Sequence, residues 1–159
     1  MTGQAGWTIQ AESSFSADIR ALLEAHLAFA AAHTPEGAGH ALDLAGLQAP
    51  DTTLFVARSD DDDALLGCAA LRALAADAGE LKSMHVAASA RRRGVGRALA
   101  GHVIEAARAR SWRVVRLETG RSAGFAASRA LYASLGFEPC PPYGVYRNDA
   151  FSYCMERRL

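Results

Sequence analysis

The stretch Arg91-Arg92-Arg93-Gly94-Val95-Gly96-Arg97 puts four guanidinium groups and two glycines into seven residues. Guanidiniums make charge-assisted hydrogen bonds to phosphate oxygens, and glycine lets an anion come close to the backbone. From Val95 onward, Val95, Leu99, Val103 and Ala106 recur at helical spacing, which predicts a helix to about Arg110. The preceding GELKSMHVA reads as a strand. The basic turn therefore stands at a helix N-terminus, where unpaired N–H groups and the positive end of the helix dipole also attract an anion. No Gly-x-x-x-x-Gly-Lys is present, and the dinucleotide fingerprint fails because its third glycine position is Leu99. A pyrophosphate suits the turn that remains.

Other groups invite chemistry and are weaker. His26, His33 and His40 are spaced by seven, but Gly and Pro interrupt any helix that would align all three, and no cysteine or carboxylate completes a ligand set, so no metal is expected. The run Asp60 to Asp63 lacks the glycine and distant glutamate of a calcium loop and reads as a solvated turn. Glu80 and Lys82 are two apart on a predicted strand, share a face and suit an ion pair.

These residues need elements to hold them. WTIQA at residues 7–11 reads as a strand. SADIRALLEAHLAFAAAH follows with Ser16 at the N-cap and Ile19, Leu22, Leu23, Leu27 and Ala30 on one face. A Gly/Pro-containing connection carries a short helical run at 43–47. Runs 54–58 and 65–74 flank the acidic turn and predict a hairpin. The strand before the arginines, the helix after them and the strand WRVVRLET make a βαβ unit. AASRALYASLGF supplies a last helix closed by Gly136, and AFSYCMERR a last strand.

The 159 residues are 50% hydrophobic and 21% charged, which suits a single domain spanning residues 1–159. Neither a signal-peptide pattern nor a membrane-spanning apolar run occurs, so a cytoplasmic protein without a membrane partner is expected. Cys68, Cys140 and Cys154 are odd in number and far apart, so they read as core thiols. Formal charge is zero, yet residues 1–80 hold 3 basic and 12 acidic side chains, and residues 81–130 hold 11 basic and 2 acidic. One basic segment in a neutral chain suits a single bound polyanion. No aromatic residues interleave with the arginines, so a nucleic-acid partner is not expected.

At these residues the sequence resembles the GNAT superfamily of acetyl-CoA-dependent N-acetyltransferases. The family signature is Arg or Gln, two residues, Gly, one residue, then Gly or Ala, and RRRGVG matches it; ELKSMHV, RLETG and ALYASLGF follow in family order. The specific resemblance covers residues 79–137. It implies an α/β fold with a mixed, mostly antiparallel central sheet, helices on both faces and two splayed central strands. By the same resemblance, acetyl-CoA is the co-substrate, and Met84, His85 and Val86 contact its pantetheine and acetyl carbonyl through the main chain. Arg91, Arg92, Arg93, Gly94, Val95, Gly96 and Arg97 hold its pyrophosphate. Phe125 stands where the family often has asparagine, which leaves Ser128 as the polar alternative.

Tyr132 matches the tyrosine that family members use as general acid, and Glu80, eleven residues before Arg91, stands at the spacing of a general base; its pairing with Lys82 is an equally good reading. Glu118 is a further carboxylate near the splay that equally suits a cap on the following turn, and Phe29, His33 and His40 border the acceptor pocket by analogy of fold. The acceptor implied is a primary amine of a small molecule, for a monomer or homodimer. A protein or peptide N-acetyltransferase and a non-catalytic acyl-CoA sensor remain open.

Overall fold

A computed structural model describes residues 6–36, 39, 41 and 43–159. In chain order the elements are β1 (Trp7–Glu12), α1 (Ala17–His33), α2 (Leu44–Leu47), β2 (Thr52–Ser59), β3 (Leu65–Ala75) and β4 (Ala78–Val86). They continue with α3 (Val95–Ala109), β5 (Val114–Gly120), α4 (Ala126–Ser134), β6 (Glu138–Pro139) and β7 (Ser152–Arg158). Single 3-10 turns, Ala88–Ala90 and Ala123–Phe125, precede α3 and α4.

The seven strands form one sheet in the order β1-β2-β3-β4-β5-β7-β6. Only β4 and β5 run parallel, and α3 connects them. The mixed, mostly antiparallel sheet and the βαβ unit expected from the sequence are thus present. The hairpin of β2 and β3 turns through the exposed residues Asp60 to Asp63, as expected of four like charges.

Strand β2 shows why the sheet is covered on both sides. Successive side chains of a strand point to opposite faces, and Leu54 and Val56 pack with Ile19 and Leu23 of α1, whereas Phe55 and Ala57 pack with Leu99 and Val103 of α3. Two cores therefore sandwich the sheet. Cys68 and Cys154 are buried free thiols, while Cys140, just past the end of β6, is only half-buried.

Two helix ends bear on the site. Ser16 takes the N-cap position of α1, but its hydroxyl donates to Asp18 at 2.5 Å instead of accepting a backbone N–H. Asp18 is engaged by Arg58 at 2.8 Å, and that guanidinium holds its carboxyl far below the usual range. At the end of α4, Gly136 has φ +86, the Phe137 N–H donates to the Tyr132 carbonyl at 3.0 Å, and the Gly136 N–H donates to the Ala133 carbonyl at 3.1 Å. This paired closure is the Schellman motif, which glycine permits at a left-handed position. Among the described residues no helix is long and apolar enough to cross a membrane.

Candidate active site

The site begins where two strands part. Strands β4 and β5 pair only through Ala78–Val114, Gly79–Val115 and Glu80–Arg116. Beyond these pairs β4 continues along β3, and β5 continues along β7 as far as Gly120–Ser152. Residues 81–86 and 117–120 therefore face each other with main-chain edges that no strand covers, and such edges bind an extended ligand.

A bulge in β4 adds to the separation. Cys68 opposes His85 and Ala70 opposes Lys82, so Ser83 and Met84 together face the single residue Ala69. Ser83 has φ +53, and its buried hydroxyl has no hydrogen-bond partner among the described residues. An extra residue of this kind re-aims the following side chains and amides.

The gap opens into a cavity of about 670 Å³. One end is the basic turn. Arg92 (φ +61) and Gly94 (φ +85) both adopt the left-handed conformation and turn the chain into α3. The N–H groups of Val95, Gly96 and Arg97, first in the helix, have no intrahelical acceptor, and no acidic residue stands in that turn to satisfy them. Gly96 lies against β4 and α4: a Cβ there would sit 3.3 Å from Val86 and 3.5 Å from Leu131. Arg91, Arg92 and Arg97 line the cavity. Arg97 also donates to the Ser134 hydroxyl at 2.8 Å. Arg93, expected to share this role, stands outside the cavity wall, where its charge acts on Asp62 of the acidic turn.

Met84, His85 and Val86 line the cavity from the β4 side; Phe125, Ser128 and Tyr132 line it from α4 and the turn before it. Tyr132 is 5% exposed, and its ring makes an edge contact with Phe137 at 5.8 Å, inside the Schellman closure. Its hydroxyl has no hydrogen-bond partner among the described residues, and burial pushes its ionisation far above the ordinary range.

The two carboxylates differ in setting. Glu118, two residues past the last β4–β5 pair, lines the cavity. Burial pushes its carboxyl up to about 7; the nearby Glu80 charge adds to the rise, while Ser152 and Lys82 oppose it. Glu80 does not line the cavity. It is 1% exposed, ion-paired to the Lys82 ammonium at 3.3 Å, and accepts a hydrogen bond from the Tyr143 hydroxyl. Lys82 in turn donates to the Tyr146 hydroxyl at 2.7 Å. The pairing that the sequence spacing suited is present. The two tyrosines lie in the irregular segment between β6 and β7, and nothing in their sequence announces a bond to β4.

The third wall is aromatic. Phe29 makes an edge contact with Phe125 at 5.5 Å and with His85 at 6.2 Å. His26 Nδ1 and His85 Nδ1 share a hydrogen bond at 3.3 Å. Burial lowers His26 to about 4, helped by the charges of His85 and Lys82; burial, then Arg91, lowers His85. His26 was missed as a cavity residue, although it precedes Phe29 by three and so shares its helix face. His33 is exposed and outside the cavity wall. Its Nδ1 donates to the Phe29 carbonyl at 2.8 Å, its carbonyl accepts from the Ser122 hydroxyl at 3.0 Å, and its ring lies on Gly124, where a Cβ would come within 2.0 Å of it. It fastens α1 to the turn before α4. His40 lies outside the described residues. Among the described residues no three His, Cys, Asp or Glu side chains gather to hold a metal ion.

Residues 19–137 match the Acetyltransferase (GNAT) family. The chain belongs to that family. It is 38% identical over 138 residues to the uncharacterized N-acetyltransferase YsnE of Bacillus subtilis (strain 168), covering 87% of this chain and 90% of the relative. A Klebsiella pneumoniae structure assigned as an acyl-CoA N-acyltransferase superposes with a TM-score of 0.82 at 27% identity, covering 98% of this chain and 99% of that one. A GNAT family acetyltransferase from Elizabethkingia anophelis with acetyl-CoA bound has the same fold, with a TM-score of 0.72, 18% identity and coverage of 98% and 100%. The protein is an acetyltransferase, and the parted strands are this GNAT chain's candidate active site.

Proposed function

We propose that this enzyme transfers the acetyl group of acetyl-CoA to a primary amine of a small molecule. The observation that carries the reading is the composition of the cavity between β4 and β5. A basic helix N-terminus, a carboxyl that titrates near neutrality and a protonated phenol line the same cavity. The same fold holds acetyl-CoA in the Elizabethkingia anophelis relative, which supports the choice of donor.

In this reading the amides of Val95 to Arg97, with Arg91 and Arg92, hold the pyrophosphate, and the open edges of β4 and β5 take the pantetheine arm. Glu118 accepts a proton from the bound ammonium and frees its lone pair. The amine nitrogen forms a bond to the acetyl carbon as the C–S bond breaks, and the nitrogen releases its second proton to solvent to leave a neutral amide. Tyr132 donates its proton to the departing sulfur, and the proton on Glu118 restores the phenol through solvent. The products are an amide and the free thiol. Glu118 replaces Glu80 as the base because Glu80 is committed to Lys82 and Tyr143 and does not line the cavity.

A thiol-release assay with acetyl-CoA and a panel of amino acids, arylalkylamines, polyamines, aminoglycosides and peptides tests the proposal. Turnover of a small amine is the expected result. Acetyl-CoA binding without thiol release from any amine would make the protein a sensor, and turnover of peptides alone would make it a protein acetyltransferase.

A further inference from the structure

We propose that the acceptor is a singly charged amine carrying a flat aromatic ring on a short linker. The inference rests on the acetyl-transfer reading above and concerns what that reaction selects. Three observations lead to it.

The first is the wall itself. His26 and Phe29 come from α1, His85 from β4 and Phe125 from the turn before α4, and all four border one cavity. Their contacts are edge-on, with interplanar angles of 86° for Phe29–Phe125, 62° for Phe29–His85 and 70° for His26–His85. Edge-on packing of rings leaves faces and edges to which a further ring adds by the same geometry. The wall is held in shape. A Cβ on Gly120 would lie 2.1 Å from the Phe125 ring, and Arg129 grips the Gly120 carbonyl at 2.6 Å.

The second observation is charge. The two imidazoles in the wall are held neutral by burial and bonded to each other, so the rings themselves add no positive charge against the ligand's ammonium.

The third is the count of anions. Among the described residues that line the cavity, Glu118 alone is acidic, against Lys82, Arg91, Arg92 and Arg97. One ammonium finds a partner there. A polyamine or an aminoglycoside would bring further positive charges to a cavity whose described lining has no second carboxylate for them, since Lys82 is already paired with Glu80 and the arginines stand at the pyrophosphate end.

The test compares 2-phenylethylamine and tryptamine with hexylamine, spermidine and L-phenylalanine as acceptors, at saturating acetyl-CoA, in wild type and in Phe29→Leu and Phe125→Leu. Calorimetric titration of 2-phenylethylamine into CoA-saturated protein supplies a readout apart from turnover. Wild type should favour the two ring amines over hexylamine and spermidine by roughly tenfold or more in kcat/KM, the size of one aromatic contact. Phe29→Leu should raise KM and Kd for 2-phenylethylamine by about tenfold, with hexylamine KM changed far less. Phe125→Leu covers the case in which the first variant does not fold. Preference for spermidine or hexylamine, or equal losses for ring and chain amines in the variant that folds, would overturn the inference while leaving acetyl transfer intact. Preference for L-phenylalanine over the plain ring amines would overturn the single-charge part. No thiol release with any amine, despite acetyl-CoA binding, would overturn both readings.

Discussion

The carboxylate of Glu80 accepts a 2.5 Å hydrogen bond from the hydroxyl of Tyr143, 63 residues further along the chain. With the Lys82–Tyr146 bond it ties β4, just where that strand leaves β5, to the irregular segment that leads into β7. The Tyr143 and Tyr146 rings pack edge-on at 4.9 Å, and Tyr146 is 8% exposed although it belongs to no strand or helix. Burial, with the Glu80 charge beside them, pushes both phenols far above their ordinary ionisation, so both stay protonated at every working pH.

Glu80→Gln should therefore act on folding. It removes the anion that compensates a buried ammonium, and breaking a buried pair from one side costs about 3 kcal/mol or more. Urea denaturation should show that loss, and Tyr143→Phe a smaller one of about 1–3 kcal/mol. The acid limb of the kcat/KM profile should survive in Glu80→Gln. A stable Glu80→Gln protein whose acid limb has vanished would restore Glu80 as the base.

Glu118 gives pH a different effect on activity and on stability. As base it must be ionised, so kcat/KM should rise with pH through a midpoint near 7, the value to which burial pushes it. Glu118→Gln should abolish the limb and lower kcat by roughly 10²-fold or more. For stability the sign reverses. A raised carboxyl pKa favours the protonated native state, so its contribution is present below the unfolded value and is lost as pH rises through about 7. Glu118→Gln should thus melt above wild type at pH 8 and close to it at pH 4. Equal melting temperatures at pH 8 would show that the buried carboxylate carries no strain.

Much of this was legible in the sequence because it is local. The apolar spacing from Val95 to Ala106 specified α3, four adjacent aspartates specified an exposed turn, and Gly136 specified the closure of α4. The basic turn could be placed at a helix N-terminus for the same reason. What was not legible depends on residues far apart in the chain. The tie from Glu80 to Tyr143, the seat of His33 on Gly124 and the bond from His26 to His85 are set by which strands are neighbours, and no spacing encodes that. Arg93 stands outside the cavity wall for a smaller reason: consecutive residues of a turn point different ways, so three adjacent arginines need not line one cavity.

That last point gives a ranking at the pyrophosphate end. Gly96→Val should weaken acetyl-CoA binding most, because an added Cβ would already meet Val86 and Leu131 at 3.3 and 3.5 Å at a position that lines the cavity. Gly94→Ala meets no atom within 4 Å, so its cost is the left-handed φ of +85, about 1 kcal/mol. Arg93→Ala should bind as wild type does. Calorimetric titration of acetyl-CoA into the three variants checks the order, and a large loss at Arg93 would move the phosphate site.

Tyr132→Phe separates packing from chemistry. The ring is fixed on two sides: Phe137 packs on its edge at 5.8 Å, and the Tyr132 carbonyl is the acceptor that closes α4. Phenylalanine keeps both. The hydroxyl has no partner among the described residues, so its removal leaves no orphaned group, and melting temperature and acetyl-CoA affinity should stay near wild type. Chemistry should suffer. A thiol is only partly ionised near neutrality, so the departing sulfur needs a proton, and a phenol whose ionisation burial pushes upward still carries one at any working pH. Loss of a general acid lowers turnover by roughly 10²- to 10⁴-fold. The loss should also show as a larger drop with acyl donors whose thiols are more basic, because their leaving groups depend more on the proton. A wild-type turnover number in Tyr132→Phe, with chemistry shown to limit the rate, would return the residue to the core as a packed ring.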